Sequence, residues 1–128
     1  MTVFTDAMTV ATSGMKAQAT RLRHVSENIA NTETPGYRRK TVSFDEVLRG
    51  TSGAVAVGPM RLDQSPLTSI YDPSNPLADA TGRYDGSNVN MLLEIADARE
   101  ANRSYEANLK MFDQIRQMKQ GLLDLLRN

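Results

Sequence analysis

The sequence contains no cysteine and no tryptophan, and its other aromatic residues are only three Phe and four Tyr. The absence of cysteine excludes a disulfide framework and a thiolate metal site. One large compact core is not expected from so few aromatic side chains. His24 is the single histidine, and one histidine without cysteine or clustered carboxylates does not make a transition-metal site. We therefore expect no metal and no cofactor, and a surface or packing role for His24.

Net charge and long apolar runs are absent as well. Fifteen Lys and Arg residues balance fifteen Asp and Glu residues, whereas a general nucleic-acid binder normally carries a basic excess. No apolar run approaches the roughly 20 residues that span a bilayer, so we expect no direct membrane insertion. The first residues lack the basic-then-apolar order of a cleaved signal peptide.

Neither a Gly-rich phosphate loop nor a nucleophile with its base can be read from the spacing, so we do not expect an enzyme.

Stretches with helical periodicity occupy both ends of the chain. In residues 4–29 apolar side chains recur at steps of three and four, which predicts a long helix with a lengthwise seam. Gly14 lies within this helix and is expected to weaken it by about 1 kcal/mol relative to Ala. The seam residues are Phe4, Met8, Ala11, Met15, Leu22, Val25 and Ile29.

A second predicted helix begins after Asn90, which is a suitable N-cap, and runs toward the C-terminus. Glu94 falls in its first turn, where the helix dipole favours an acidic side chain. One apolar stripe is replaced by an adjacent one along this helix, so we expect it to contact more than one neighbour. The stripes consist of Ile95, Ala98, Tyr105, Leu109 and Phe112, and of Met111, Ile115, Met118, Leu122 and Leu125.

The segment 26–38 ends the first helix. Thr34 precedes a proline and so disfavours helical geometry, and Pro35-Gly36 fits the two central positions of a type II turn. Asn31 is expected to terminate the helix, together with Thr32, through side-chain hydrogen bonds to the backbone. Asn28 lies one turn earlier, and both helix termination and a specific buried hydrogen bond remain open for it.

The middle of the chain predicts a small β-leaning insert of three or four strands. Strands are expected around 42–44, over 55–62 as one or two pieces, and over 67–71, with a helical turn at 45–49 and loops at 51–53 and 82–87. For the basic run Arg38-Arg39-Lys40 two interpretations stay open: a solvated strand entrance, or a contact with an acidic or phosphate partner such as an acidic patch on another subunit.

The predicted fold is mainly α, with long N- and C-terminal helices forming a coiled-coil core around a small β-rich insert. It divides the chain into a core helix at 1–31, a turn and insert at 32–87 and a second core helix at 88–128. Two helices with such broad apolar stripes expose more apolar surface than one antiparallel pair covers. This pattern is typical of an assembly subunit.

Residues 26–37 resemble the N-terminal signature of the bacterial flagellar rod and hook (axial) protein family. The matching positions are Ser26, Asn28, Ile29, Ala30, Asn31, Pro35, Gly36 and Tyr37. The run 87–112 is similar to the second signature of the family, through Asn88, Val89, Arg99, Tyr105, Glu106, Ala107 and Asn108. Within the family, residues 71–79 followed by Gly82 are most similar to proximal rod members, and residues 83–87 depart from that pattern.

The resemblance implies a structural subunit of the proximal rod in the flagellar basal body. Such a protein is exported unfolded by the flagellar type III apparatus, without a cleaved signal peptide. It joins copies of itself and other rod proteins in the periplasmic rod, which transmits torque and encloses the export channel. Its terminal helices would pack near the axis through Met8, Met15, Leu22, Val25, Ile29, Tyr105, Leu109, Phe112, Ile115, Met118 and Leu122.

Two alternatives stand beside this interpretation. One is another rod protein of the same family. The other is a coiled-coil export adaptor or chaperone, which the helical periodicity alone allows. A chaperone, however, has no need for the Asn-Ile-Ala-Asn motif at 28–31 or the turn cluster at 72–76.

Overall fold

Two antiparallel helices carry the fold, and the rest of the chain packs against one end and one side of them. A computed structural model describes residues 2–46 and 53–128. Helix α1 spans Thr2–Ala30 and helix α2 spans Met91–Arg127. Their contacts join late residues of one helix to early residues of the other: Asn28 with Glu94, Arg21 with Asp97, and Gly14 with Asn108. The predicted mainly α fold with two long terminal helices is confirmed.

Small side chains line the interface between the helices. Ala101 is fully buried, and a Cβ added to Gly14 would lie 2.8 Å from the side chain of Asn108. Gly14 therefore permits a close approach of α2, and its conformational cost in the helix is offset by this packing. The buried apolar residues are Ala11, Ala17, Val25, Ala54, Ala101 and Ile115.

The insert between the helices contains six short strands within the described residues, rather than three or four. They form three separate two-stranded antiparallel sheets, with Lys40 opposite Leu62, Phe44 opposite Val57, and Ser69 opposite Asp85. The strands are β1 (Lys40–Thr41), β2 (Phe44–Glu46), β3 (Val55–Val57), β4 (Arg61–Leu62), β5 (Ser69–Tyr71) and β6 (Arg83–Asp85), paired as β1–β4, β2–β3 and β5–β6.

The prediction of one strand around 42–44 is wrong because the chain changes partner there. Residues 42 and 43 lie between β1, which pairs with β4, and β2, which pairs with β3. The predicted helical turn at 45–49 begins in β2, and its remaining residues lie outside the described part of the chain. The predicted loop at 51–53 lies outside it as well, except for Gly53, which is in a turn with φ 87°.

The prediction of a loop over 82–87 is also wrong, since Arg83–Asp85 forms β6. Its three residues, with Tyr84 between two charged side chains, are too short a run for a clear alternating signal. Backbone pairing with β5 and an Arg83–Tyr71 contact stabilise it. The guanidinium of Arg83 lies 5.7 Å from the centroid of the Tyr71 ring, within the range of a cation–π contact.

The ends of the helices follow the sequence signals. Asn31 Nδ2 donates to the carbonyl oxygen of Glu27 at 2.8 Å and Thr32 Oγ1 donates to that of Ile29 at 2.9 Å, which ends α1. At the other end of the insert, Asn90 Oδ1 accepts from the backbone N–H groups of Leu92 and Leu93 and caps α2. Both expected helix boundaries are confirmed.

Helix α2 has 37 residues against 29 in α1. Gly14 lies beside Asn108, and the helices run antiparallel. Thr2, the first residue of α1, therefore lies near Gln120, which is as many residues beyond Asn108 as Thr2 is before Gly14. The last two turns of α2 therefore extend beyond α1. In the described residues, neither helix has the length and hydropathy needed to cross a bilayer.

Candidate functional site: the elbow and the exposed helix faces

The elbow, residues 31–40, leads from α1 into the insert. The backbone N–H of Tyr37 donates to the carbonyl oxygen of Thr34 at 3.1 Å, and Gly36 has φ 75°, as a type II turn centred on Pro35-Gly36 requires. The Gly36 N–H donates in turn to the carbonyl oxygens of Asp85 and Gly86 at 3.2 and 3.1 Å. The turn is thus fixed to the end of β6.

Asn28 is the centre of the polar network behind the elbow, and it is fully buried. Its Oδ1 accepts from the Lys40 N–H at 2.9 Å and from the Tyr37 hydroxyl at 2.9 Å. Its Nδ2 donates to the Lys40 carbonyl oxygen at 3.0 Å and to Glu94 Oε2 at 3.3 Å. Two donors and two acceptor positions are all that an Asn side chain offers. The structure therefore decides for the buried hydrogen bond over simple helix termination.

Glu94 is a fully buried carboxylate that joins α2 to the elbow. It accepts a short hydrogen bond from Arg39 Nε as well as the one from Asn28. Arg39 also donates to Asp97 Oδ2 at 2.8 Å and lies 3.9 Å from Asp63. Burial lowers the pKa of Arg39, but the hydrogen bond and charge of Glu94 outweigh it, so the net shift is upward. A buried carboxylate needs such a cation and hydrogen bonds to remain ionised.

The other two residues of the basic run also have partners within this chain. Lys40 Nζ donates to Glu27 Oε2 at 2.6 Å, which raises the pKa of Lys40 and lowers that of Glu27. Arg38 donates to the carbonyl oxygens of Asp63 and Ser65 at 3.3 and 3.1 Å. The entrance to β1 is therefore only partly solvated, because Arg39 and Lys40 form ion pairs within the chain and Arg38 donates to backbone oxygens. A contact of this run with an acidic patch on another subunit stays a prediction.

Asn88 brings the C-terminal signature to the same place. Its Oδ1 accepts from the Arg39 N–H at 2.7 Å, and its Nδ2 donates to the Asp63 carbonyl oxygen at 2.9 Å. Its own N–H donates to the Tyr37 carbonyl oxygen at 3.3 Å. Tyr37 is thus held by Asn88 through its backbone and by Asn28 through its hydroxyl, and burial is the main cause of its raised pKa. Two signatures from opposite ends of the sequence thus meet in one hydrogen-bonded cluster.

The remaining residues of the N-terminal signature lie at the surface around this cluster. Ile29 and Asn31 are half-buried, and exposed positions are occupied by Ser26, Ala30, Pro35 and Gly36. In the C-terminal signature Val89, Tyr105 and Asn108 are half-buried, while Arg99, Glu106 and Ala107 are exposed. Asn108 donates to the Ser104 carbonyl oxygen at 2.9 Å and lies against Gly14.

The predicted seam of α1 overlaps only partly with its buried face. Ala11 and Val25 are buried, whereas Phe4, Met8, Met15, Leu22 and Ile29 are half-buried. The face turned to α2 instead includes Gly14, Arg21 and Asn28. Large apolar side chains thus flank the contact with α2, and small and polar ones form it.

Most of the predicted stripe residues of α2 remain uncovered. Ile115 is buried, and Ala98, Tyr105 and Phe112 are half-buried. The exposed fractions of the others are 40% for Ile95, 41% for Leu109, 54% for Met111, 57% for Met118, 38% for Leu122 and 75% for Leu125. Leu92 and Leu93 are exposed by 76% and 58%. The helix therefore has apolar faces beyond the one that α1 covers.

His24 is buried, with 8% of its surface exposed, and its Nδ1 has no hydrogen-bond partner among the described residues. Glu27 Oε2 is 3.9 Å away. No cluster of three or more His, Asp or Glu side chains suited to a metal ion occurs in residues 2–46 and 53–128.

Sequence reasoning missed Glu94 as a network residue and assigned it only to the helix dipole. Glu94 is the one charged residue in the otherwise apolar run 91–96, but the apolar residues of that run are exposed. The run itself therefore does not indicate that Glu94 is buried, and nothing in the sequence marks Asp63 or Asp97 as its neighbours.

Comparison with known proteins agrees with this arrangement of two signatures. Residues 8–38 match the family model described as flagella basal body rod protein, and residues 80–125 match that of the flagellar basal body rod FlgEFG protein C-terminal region. The first matched segment contains Asn28 and Tyr37, and the second contains Asn88 and Glu94, while Arg39 and Lys40 lie just beyond the first.

Similar proteins match over nearly the whole chain. The flagellar basal-body rod protein FlgC of Agrobacterium fabrum is 48% identical over 130 aligned residues, which cover 94% of each chain. That of Salmonella typhimurium is 33% identical over 85% of this chain and 87% of its own length. That of Borreliella burgdorferi is 30% identical over 95% and 97%. The chain therefore belongs to the FlgC family of flagellar basal-body rod proteins.

Proposed function

We propose that this chain is a structural subunit of the proximal rod of the bacterial flagellar basal body. The observation that carries the proposal is the apolar surface that α2 leaves uncovered. Leu92, Leu93, Met111, Met118, Leu125 and Leu126 are each more than half exposed. Large apolar side chains left exposed along the length of one helix are characteristic of interaction sites.

The partners in this proposal are copies of the same chain and other flagellar rod proteins. The two core helices, 1–31 and 88–128, would pack against neighbouring helices through the half-buried and exposed residues of their stripes. The insert at 32–87 would contact the next subunits outside that core. Family membership supports this division, since the two signatures lie at the two ends of the chain.

The hydrogen-bonded cluster behind the elbow, formed by Asn28, Tyr37, Arg39, Asn88 and Glu94, would set the orientation of the insert relative to the helices. Asn28, Arg39 and Glu94 connect α1, the insert and α2 through hydrogen bonds that are buried between Asn28 and Glu94 and partly buried elsewhere. In a rod that transmits torque, an insert held at several points moves less than one held by a single flexible link. The role of these residues would thus be positional, and no bond is made or broken in the protein's work.

Delivery and location complete the proposal. The chain would leave the cytoplasm through the flagellar type III export apparatus, without a cleaved signal peptide, and would become part of the periplasmic rod that encloses the export channel. It would bind no nucleic acid and would not insert directly into the membrane.

Surface variants test this proposal. Met118→Glu and Leu92→Glu place a charge on an exposed apolar face, where the circular dichroism spectrum and melting temperature of the isolated chain should change little. We expect each variant to reduce swimming motility and the amount of the chain in basal bodies. Asn102→Glu, at an exposed polar position of α2, is the matched control and should leave motility intact. Full motility with both apolar-face variants would overturn the proposal, and a chain that stays cytoplasmic would favour an export adaptor.

A further inference from the structure

Two apolar features of the chain lack a partner within the described residues. The first is a groove between the N-terminal half of α1, strand β3 and helix α2, with a volume of about 670 Å³. Its apolar walls are formed by Met8, Val55, Val57 and Phe112. The groove continues the α1–α2 interface, because Met8 and Phe112 are each partly buried in that interface.

The second feature is the projecting end of α2, residues 121–127, which extends beyond the start of α1. Leu122 is exposed by 38%, Leu125 by 75% and Leu126 by 74%. No residue of α1 is available to cover these leucines. They form an apolar knob on a helix end that the fold of a single chain leaves in water.

We propose that the projecting end of α2 in one copy of the chain occupies the α1–β3–α2 groove of the next copy. This inference rests on the proposed function, since it names the partner surface through which copies would join. The groove volume lies in the range of about 300–1,000 Å³ that is typical of protein binding pockets, so it has room for leucine side chains. An apolar knob and an apolar groove on different parts of one chain complement each other.

Charge supports the same occupant. Lys16 is the one charged side chain among the described residues that line the groove, and it forms no ion pair with any of them. Asp124 is the one acidic residue of the projecting end, which also carries Arg127, and it lies between the leucines in sequence. Its Oδ1 accepts from Gln120 Nε2 of the same helix at 3.2 Å. With the leucines seated in the groove, Lys16 at its edge has Asp124 of the second copy as an available partner. Such an exposed pair contributes little affinity but favours one orientation.

The geometry makes this contact one that repeats. The knob and the groove are different surfaces, so the contact is heterologous and leaves a free knob and a free groove on each pair of copies. Phe112 in the groove and Asp124 on the knob are separated by about 18 Å along α2. Successive copies would therefore be staggered by a distance of that order.

Cysteine cross-linking tests this contact directly, because the chain contains no native cysteine. Thr9→Cys places a thiol in the groove lining and Leu125→Cys places one on the knob. We expect a short bismaleimide added to isolated basal bodies to produce dimers and larger multimers of the double variant. A mixture of the two single variants should produce dimers only. The control pair Thr9→Cys with Asn102→Cys, whose second thiol lies away from the projecting end, should give no multimers.

A charge exchange provides a second measurement. Lys16→Glu should lower the cross-linking yield roughly threefold, the effect of a weak exposed ion pair. Adding Asp124→Lys to the same chain should restore the yield. An unchanged yield in Lys16→Glu would overturn the assignment of this ion pair.

The outcomes separate this inference from the proposed function. If basal bodies contain the double variant but yield no product with two copies of it, the contact is wrong while the rod function stands. A product limited to dimers would indicate a closed two-fold pair, and a product with a different rod protein would identify another occupant; either overturns the inference. If the chains are absent from basal bodies of motile cells, the proposed function itself fails.

Discussion

The side chain of Asn28 and the backbone of Lys40 exchange two hydrogen bonds, as residues of adjacent strands do. The Lys40 N–H donates to Asn28 Oδ1 at 2.9 Å, and Asn28 Nδ2 donates to the Lys40 carbonyl oxygen at 3.0 Å. A helix side chain thus replaces a peptide group at the start of β1. This pairing fixes the first strand of the insert to the last turns of α1.

We expect Asn28→Ala to destabilise the chain by about 3 kcal/mol. The substitution leaves the Lys40 peptide, the Tyr37 hydroxyl and Glu94 without a shared partner, and each unsatisfied buried group costs about 1–3 kcal/mol. Urea unfolding of the purified chain measures this loss. Asn102→Ala, at an exposed position of α2, is the control and should change the free energy of unfolding by less than about 0.5 kcal/mol. Equal effects of the two variants would contradict a central role for Asn28.

The Arg39–Glu94 pair should behave as a coupled unit in a double-mutant cycle. Arg39→Met leaves the buried carboxylate of Glu94 without its cation and should cost about 3–5 kcal/mol. Glu94→Met should cost less, because Arg39 keeps Asp97 and Asp63 as partners. We expect the double variant to be more stable than the sum of the single losses predicts, by about 1–3 kcal/mol. Additive losses in urea unfolding would show that the two side chains act independently.

Gly14 and Gly121 should respond in opposite directions to the same substitution. In Gly14→Ala the new Cβ would lie 2.8 Å from Asn108 Nδ2, whereas nothing lies within 4 Å of a Cβ at Gly121. Gly121→Ala should therefore stabilise the chain by up to about 1 kcal/mol through helix propensity, and Gly14→Ala should destabilise it.

The second half of this prediction is a rescue. Replacing Asn108 with Ala removes the atoms that the Gly14→Ala methyl group would meet, so the double variant should recover most of the lost stability. Melting temperatures of the four variants measure the effect. Stabilisation by Gly14→Ala alone would show that the helices do not approach as closely as the structure has them.

Acid should destabilise the folded chain through two carboxylates, Glu27 and Asp63, that lie against basic residues of the elbow. A hydrogen bond from Lys40 lowers the pKa of Glu27 below its ordinary value of 4.5, and hydrogen bonds from Ser65 lower that of Asp63 below 3.8. A carboxylate with a lowered folded pKa stabilises the fold above its unfolded pKa, and this contribution is lost as the pH falls through the folded pKa. The melting temperature should therefore fall as the pH decreases below about 4.5.

Lys40→Met isolates the contribution of Glu27 to this pH dependence. Without the Lys40 ammonium group, the pKa of Glu27 should return toward its ordinary value, and the fall in melting temperature between pH 6 and 3 should be shallower. Lys110→Met is the control, since Lys110 is exposed and forms no ion pair with any described residue. Identical pH profiles for Lys40→Met and the unmodified chain would exclude the Glu27–Lys40 pair as a cause.

The helices, their ends and the elbow turn were predictable from the sequence because their causes are local. Apolar periodicity, the Asn90 cap, and the proline and glycine at 35 and 36 each act within a few residues. The wrong assignments concern contacts between distant segments. Strand β6 exists because β5 is available as a partner, and the three residues 83–85, with Tyr84 between two charged residues, are too short a run to indicate a strand by themselves.

The same distinction applies to the candidate site. Asn28 could be singled out from its place in the N-terminal signature, but its four hydrogen-bond partners come from the elbow and from α2. Apolar spacing also identified the buried face of α1 only in part, because Gly14, Arg21 and Asn28 on that face are not apolar side chains. Gly14 lies against Asn108 and Ala101 is fully buried, whereas large residues such as Met8 and Leu22 are only half-buried.

The proposal that this chain is a rod subunit is tested most directly by isolating basal bodies from cells that carry a functional tagged copy. We expect the chain to co-purify with intact basal bodies in a constant ratio to their other rod proteins, and to remain bound through washes that remove peripheral proteins. Motile cells whose intact basal bodies contain none of the chain would contradict the proposal.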